Sequence, residues 1–128
     1  MSQADLIYLA SPYSHDNPAV RQLRFRVACE ATVYLMQRGM AVFSPIVHSH
    51  PLAGLGLPDG WAFWQGVDMR FLTVCDRLVV LMLPGWRESV GVQDEIRVCE
   101  TAGTLLEYMI WPPEPEEQVK ASEQGNVG

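Results

Sequence analysis

Two carboxyl groups in different surroundings are the best candidates for chemistry in this sequence. Glu95 falls in the second turn of a helix that Ser89 is expected to cap, with its amino end facing a crevice. The helix dipole favours an ionised carboxylate there, and ionisation near neutral pH is what a carboxylate nucleophile needs. Glu95 stands one position before Ile96, which is expected against the core, so its side chain should point about 100° away from the sheet contact. Periodicity alone favours a plainer role for it, a solvated glutamate beside Asp94 and Arg97. Asp68 lies between Trp64 and Phe71 on another expected helix. Burial near bulky apolar groups penalises the charged form, so this carboxyl tends to keep its proton. It could then donate to a leaving-group nitrogen as a general acid; a polar helix face is the plain alternative. Asp76, just ahead of an apolar strand, suits bonding to backbone N–H groups.

The remaining polar candidates lie in two turns and a histidine pair. The loop SPYSHDNP carries Ser11, Tyr13, Ser14, His15 and Asn17, and the Ser89-Val90-Gly91 stretch offers a hydroxyl and a glycine at a helix start. Either could hold a phosphate or sugar hydroxyls through backbone N–H groups. Neither is a Walker loop and no G-x-G-x-x-G is present, so no dinucleotide and no other cofactor is implied. His48 and His50 are read on an extended segment, pointing to opposite sides. Convergent metal ligands are therefore not expected, and His48 is read as a pocket wall. Cys29, Cys75 and Cys99 sit in apolar-periodic segments, as packed thiols do in a reducing compartment.

These groups need a scaffold, and the pattern supplies one. Residues 5–10 read as a strand, 18–38 as a helix closed by Gly39, and 40–47 as a second strand shortened by Pro45. Residues 48–60 read as a long loop over the sheet edge and 61–74 as a helix. The run 77–83 has the apolar continuity of a central parallel strand. A helix from Ser89 to Gly103 follows, with Val92, Ile96 and Cys99 facing the sheet, and then a strand over 104–111. The sum is a small α/β domain, a doubly wound, flavodoxin- or Rossmann-like parallel sheet with helices on both faces. Ligands of such sheets lie beyond the carboxyl ends of the strands, which points to residues 8–13, 48–50 and 84–95.

The chain has 128 residues and a net charge of −6, enough for one domain of residues 1–111. Residues 112–128 read as a flexible acidic tail with prolines and glycines. The charge disfavours polynucleotide binding. No apolar run reaches the roughly 18 residues of a membrane span and no signal peptide is apparent, so a cytoplasmic location without membrane contact is expected. Trp61, Phe63 and Trp64 are more aromatic surface than one short helix readily buries, which suggests a homodimer or higher homo-oligomer.

The order D-x₇-D, apolar strand, S-x-G-V-x-x-E, present as Asp68, Asp76, Ser89, Gly91, Val92 and Glu95, resembles the nucleoside 2-deoxyribosyltransferase superfamily. The likeness includes its 2′-deoxynucleoside 5′-monophosphate N-glycosidases, and GWRESVGVQDE looks most like a small uncharacterised branch. The first strand, IYLASPY with Tyr8, is similar as well. The resemblance implies cleavage or transfer of the N-glycosidic bond of a nucleoside or its 5′-monophosphate. Glu95 would be the nucleophile, Asp68 would protonate the base, and Tyr8 would orient Glu95. Ser89 and Gly91 would contact the 5′ side, with Asp76 near the sugar or bracing its site; Ser11, Tyr13 and His48, read from the residues themselves, are the further candidate substrate contacts. The glycosidase branch has a Gly-Ser-x-Arg-Gly type loop where this chain has Ala10-Ser11-Pro12-Tyr13-Ser14. A 5′-phosphate would therefore need Arg21 or Arg24 as its charge partner. A non-catalytic nucleotide-binding module on the same fold is the alternative.

Overall fold

The computed structural model describes residues 4–115. Four strands form one parallel sheet: β1 (Leu6–Ala10), β2 (Ala41–Phe43), β3 (Arg77–Leu81) and β4 (Leu105–Met109), in the order β2-β1-β3-β4. Tyr8 is paired with Phe43 of β2 on one side and Leu78 of β3 on the other. The helices are α1 (Pro18–Met36), α2 (Pro45–Ala53), α3 (Trp61–Leu72) and α4 (Val90–Ala102). The period of two along a strand divides the core. Tyr8, Ala10, Leu78 and Val80 pack with Leu72 of α3 and Val92, Ile96 and Cys99 of α4. Ile7, Leu9, Val79 and Leu81 face the other way, onto Ala31 and Leu35 of α1. Helices thus cover both faces, in the doubly wound arrangement expected.

The winding direction changes between β1 and β3. The chain leaves β1 towards β2 on one side, returns, and leaves β3 towards β4 on the other. A crevice opens at such a switch point, beyond the carboxyl ends of the two strands. The ends of the helices there are fixed by local chemistry. Asn17 accepts from the Ala19 amide at 2.9 Å with Pro18 at N1, and Ser89 accepts from Val92 at 3.2 Å. Gly103, at φ 72°, closes α4 in the left-handed conformation that favours glycine.

One segment departs from the expectation. Residues 45–53, read as the end of a strand and the start of a loop, form α2. Ser44 caps it by accepting from the Val47 amide at 3.2 Å, and Pro45 takes the first helical position. The Ser-Pro pair was a helix start, and β2 ends at Phe43. His48 and His50 still point apart, because two residues span about 200° on a helix. Residues 116–128 of the acidic tail lie outside the described residues. Among the described residues no helix is long and apolar enough to cross a membrane. The aromatic residues behind the oligomer expectation are largely accommodated within one chain. Trp64 is buried and donates to the Pro58 carbonyl at 2.6 Å, Trp61 donates to Asp94 at 2.7 Å, and Phe63 is the exposed one.

Candidate active site

A cavity of about 750 Å³ lies at the switch point, within the range of small-molecule sites. Ser11, Tyr13 and Ser14 line it from the loop after β1, Trp61, Trp64 and Asp68 from α3, and Ser89, Gly91 and Glu95 from α4. Eight of the polar and glycine candidates from the sequence therefore converge: Ser11, Tyr13, Ser14, His15, Asp68, Ser89, Gly91 and Glu95.

Glu95 overturns both expectations placed on it. It is neither solvated nor turned from the sheet: only 3% of it is exposed. Val92, Glu95 and Cys99 are spaced i, i+3, i+7, which places Glu95 on the buried stripe of α4. Its carboxylate accepts a hydrogen bond from the Tyr8 hydroxyl. Burial pushes its pKa up to about 8; the Tyr8 hydrogen bond works against that rise, and Asp68 adds to it. The helix dipole, an effect of about 0.3–1 kcal/mol at exposed sites, is outweighed by desolvation. Tyr8 is fully buried and its own pKa is raised far above the ordinary value, first by burial and then by Glu95, so it remains a donor.

Asp68 behaves as its apolar neighbours implied. It is 3% exposed, and burial raises its pKa to about 7. Its Oδ1 is buried with no hydrogen-bond partner, and so is the Ser11 hydroxyl. Leaving one such group unsatisfied costs about 1–3 kcal/mol. Two of them stand in the wall of one cavity, which makes them the candidate contacts for a ligand's polar groups. Tyr8 touches the cavity only through Glu95.

Two expected site residues lie elsewhere. Asp76 is at the amino end of the sheet, where its Oδ2 accepts from the Leu6 amide at 2.7 Å. It braces β1 against β3 and does not line the cavity. His48 projects from α2 among Phe43, Trp64 and Phe71 and is not part of the pocket wall either. Its place is taken by Pro45, Ile46 and Ser49, one turn of the helix that was read as loop. His50 holds Tyr13 instead: Nδ1 is 2.5 Å from the Tyr13 hydroxyl, Nε2 is 2.9 Å from Gln22 Oε1, and Phe25 stacks on the ring.

Two further wall residues were named in the sequence for other reasons: Trp61 as oligomer surface, and Arg24 only as a charge partner that a 5′-phosphate would need. Trp61 lies against α4 with ring atoms 3.3 Å from where a Cβ of Gly91 would stand, so Gly91 is small to admit that ring. Arg24 reaches the cavity from α1 across many residues of chain, whereas Arg21 folds back on the His15 and Asp16 carbonyls. The thiols offer no nucleophile here. Burial raises Cys75 and Cys99 to about 11, and neither lines the cavity. Among the described residues no group of three or more His, Cys, Asp or Glu is placed to hold a metal ion.

The fold has a solved counterpart. A 2-deoxyribosyltransferase from the psychrotolerant bacterium Bacillus psychrosaccharolyticus superposes with a TM-score of 0.61 at 20% identity, covering 86% of this chain and 74% of that one. At that identity the likeness establishes a shared α/β architecture. No curated protein matches the sequence. The sequence profile of a family described as a domain of unknown function, DUF1937, matches residues 5–110, and the chain belongs to that family.

Proposed function

We propose that the pocket cleaves or transfers the N-glycosidic bond of a (2′-deoxy)nucleoside or its 5′-monophosphate, with Glu95 as nucleophile and Asp68 as general acid. The observation that carries this reading is the burial of both carboxyl groups in one cavity, with the Tyr8 hydroxyl donated to Glu95. Two buried acids that oppose each other's ionisation titrate as a pair and share protons near neutral pH. Taken separately, Asp68 at about 7 would ionise before Glu95 at about 8, the reverse of the order this mechanism uses. What supports placing the shared proton on Asp68 is the Tyr8 hydroxyl donated to Glu95 and the lack of any donor at Asp68 Oδ1. One ionised and one protonated carboxyl is the state that this chemistry needs.

The Glu95 carboxylate attacks C1′ of the sugar. The C1′–N bond breaks, its electron pair passes to the base, and the base nitrogen takes the Asp68 proton. A glycosyl ester on Glu95 results. Water or a second base then attacks C1′, loses its proton to the Asp68 carboxylate, and displaces Glu95. Tyr8 orients the nucleophile in both steps and moderates its basicity. Trp61 and Trp64 give the cavity aromatic surface for a planar base.

Incubating the protein with deoxynucleosides and their monophosphates, then resolving free base by chromatography, tests the reading. Base release that disappears in Glu95→Ala is expected. Undiminished release by that variant would reject Glu95 as nucleophile, and binding without any release would support the non-catalytic module. A symmetric homo-oligomer belongs to the same reading, with exposed Phe63, Leu55 and Leu57 as its available apolar surface.

A further inference from the structure

Tyr13 is held by a chain of hydrogen bonds that plays no part in the two-carboxyl chemistry. It lines the cavity from the loop after β1, while His50 of α2 and Gln22 of α1 stand behind it, outside the lining. The Tyr13 hydroxyl is 2.5 Å from His50 Nδ1, and His50 Nε2 is 2.9 Å from Gln22 Oε1. Phe25 stacks on the imidazole with 4.3 Å between ring centroids, which fixes the plane of the ring. Acid–base chemistry sets the direction of the first bond. The phenol is the stronger acid and donates, and the unprotonated imidazole nitrogen is the stronger base and accepts. The second bond agrees. A carbonyl oxygen only accepts, so Gln22 Oε1 draws the imidazole proton to Nε2 and leaves the Nδ1 lone pair for Tyr13.

A free hydroxyl rotates to donate or accept as its partner requires. Tyr13 has lost that freedom, because its one proton is committed to His50. Towards a ligand its oxygen is an acceptor alone. Arg21 acts on the same oxygen, and a guanidinium can only donate, so it reinforces this polarity. A phenol oxygen has two lone pairs, and Arg21 Nη1 is also engaged by the His15 and Asp16 carbonyls, so a lone pair remains for a ligand. Burial raises the Tyr13 pKa, with Arg21 opposing the rise and Asp59 adding to it. The hydroxyl therefore keeps the proton it gives to His50. Asp59 also lines the cavity and brings a second acceptor to that part of the wall.

We propose that Tyr13 is a specificity-determining residue that accepts a hydrogen bond from an N–H or O–H group of the substrate, with His50 and Gln22 as the positioning residues that fix its polarity. The inference rests on the reading of the cavity as a nucleoside site and selects among nucleosides. A substrate that presents a donor to Tyr13 is favoured. A carbonyl in its place sets lone pairs against lone pairs, and a C–H leaves the phenol oxygen unsatisfied. Two parts of a nucleoside carry such donors: the exocyclic amino group of an adenine- or cytosine-type base, and the sugar hydroxyls.

The experiment is calorimetric titration of the full chain with carbocyclic 2′-deoxyadenosine and carbocyclic 2′-deoxycytidine. A methylene replaces the ring oxygen of their sugar, so binding is read without base release. Each is compared with the analogue that has hydrogen in place of the amino group and with analogues lacking the 3′- or the 5′-hydroxyl. Removing the donor that meets Tyr13 is expected to weaken binding about tenfold. Tyr13→Phe should bring that one preference to within about twofold, and the analogue concerned identifies the donor as base or sugar. His50→Phe keeps the stack on Phe25 but cannot accept, so the freed hydroxyl can turn and donate. Its preference should fall at least about threefold, whereas structural damage would weaken all ligands alike. Gln22→Met, a surface change outside the cavity, should lower the preference about twofold, and it decides if circular dichroism shows the other variants unfolded. Nitrogen-15 NMR of the wild type should find the neutral His50 ring protonated on Nε2. A proton on Nδ1, equal binding of every analogue, absence of binding by both series, or a preference undiminished in folded Tyr13→Phe would overturn the proposal. A chain that shows the preference yet releases no base from natural nucleosides fails the catalytic reading and keeps the role of Tyr13.

Discussion

At the amino end of the sheet, charged groups meet partners. Asp76 accepts from the Leu6 amide, and Arg77 bridges Asp5 and Glu107. At the carboxyl end, two carboxyl groups are buried within reach of one cavity, and Asp68 Oδ1 and the Ser11 hydroxyl have no partner. The amino end has an orphan too, Arg77 Nε, but the terminal nitrogens of that guanidinium are engaged. The difference separates polar groups that serve the fold from those that, on the proposed function, serve a ligand. A domain of this size has a net stability of only about 5–15 kcal/mol. Unsatisfied groups costing about 1–3 kcal/mol each are a large fraction of it, and they sit where the sheet topology opens a crevice.

The largest effect that would break this comparison is catalytic. Asp68→Asn should lower kcat by about 10²–10⁴-fold for ordinary bases. It should spare 7-methylguanine nucleotides, whose base departs without prior protonation. Equal losses for the two substrates in steady-state assays would remove Asp68 from the role of acid.

The next effect is on stability and has a definite sign. Glu95 rises from an ordinary 4.5 to about 8 and Asp68 from 3.8 to about 7. Both are raised acids, so the folded state binds more protons than the unfolded state across that window. Their contribution to stability is whole below about pH 4 and declines as pH rises through the folded values. Glu95→Gln removes one of the two penalties while keeping an acceptor for Tyr8. It should therefore melt above the wild type at pH 8.5 by roughly 5 °C or more, with the gap closing at pH 4. A constant difference across pH would mean that Glu95 is not desolvated as described.

The smallest effect sharpens the other side. Asp76→Ala should destabilise the fold by about 1 kcal/mol, read as a modest fall in Tm, and leave KM unchanged. A raised KM with unaltered Tm would return Asp76 to the substrate site.

The sequence made the layered fold legible because its signals are local. The run 77–83 contains β3, and Ser89 and Gly103 bracket α4 as capping chemistry requires. Asp68 was legible because its apolar neighbours lie one helical turn away. Glu95 was misplaced by giving the buried stripe of α4 only Val92, Ile96 and Cys99, although i, i+3, i+7 from Val92 includes Glu95. His48 was misplaced because Pro45 was read as the limit of a strand when Ser44-Pro45 begins a helix. Asp76 stood at the foot of the right strand, but at the wrong end of the sheet for a ligand. Arg24 was named in the sequence only beside Arg21, as a charge partner for a 5′-phosphate; its ties to the Ser14 and Pro84 carbonyls join loops that meet only in three dimensions, so no spacing could show them.

The central claim is that Glu95 becomes covalently attached to the sugar. Asp68→Asn mixed with 7-methyl-2′-deoxyguanosine 5′-monophosphate should form that ester, because the leaving base needs no acid, and should resolve it slowly, because no base activates water. Acid quenching followed by peptide-resolved mass spectrometry should find a deoxyribosyl phosphate adduct on the peptide that contains Glu95. Base release from unmodified protein, at a rate unchanged in the additional Glu95→Gln variant, would contradict the account.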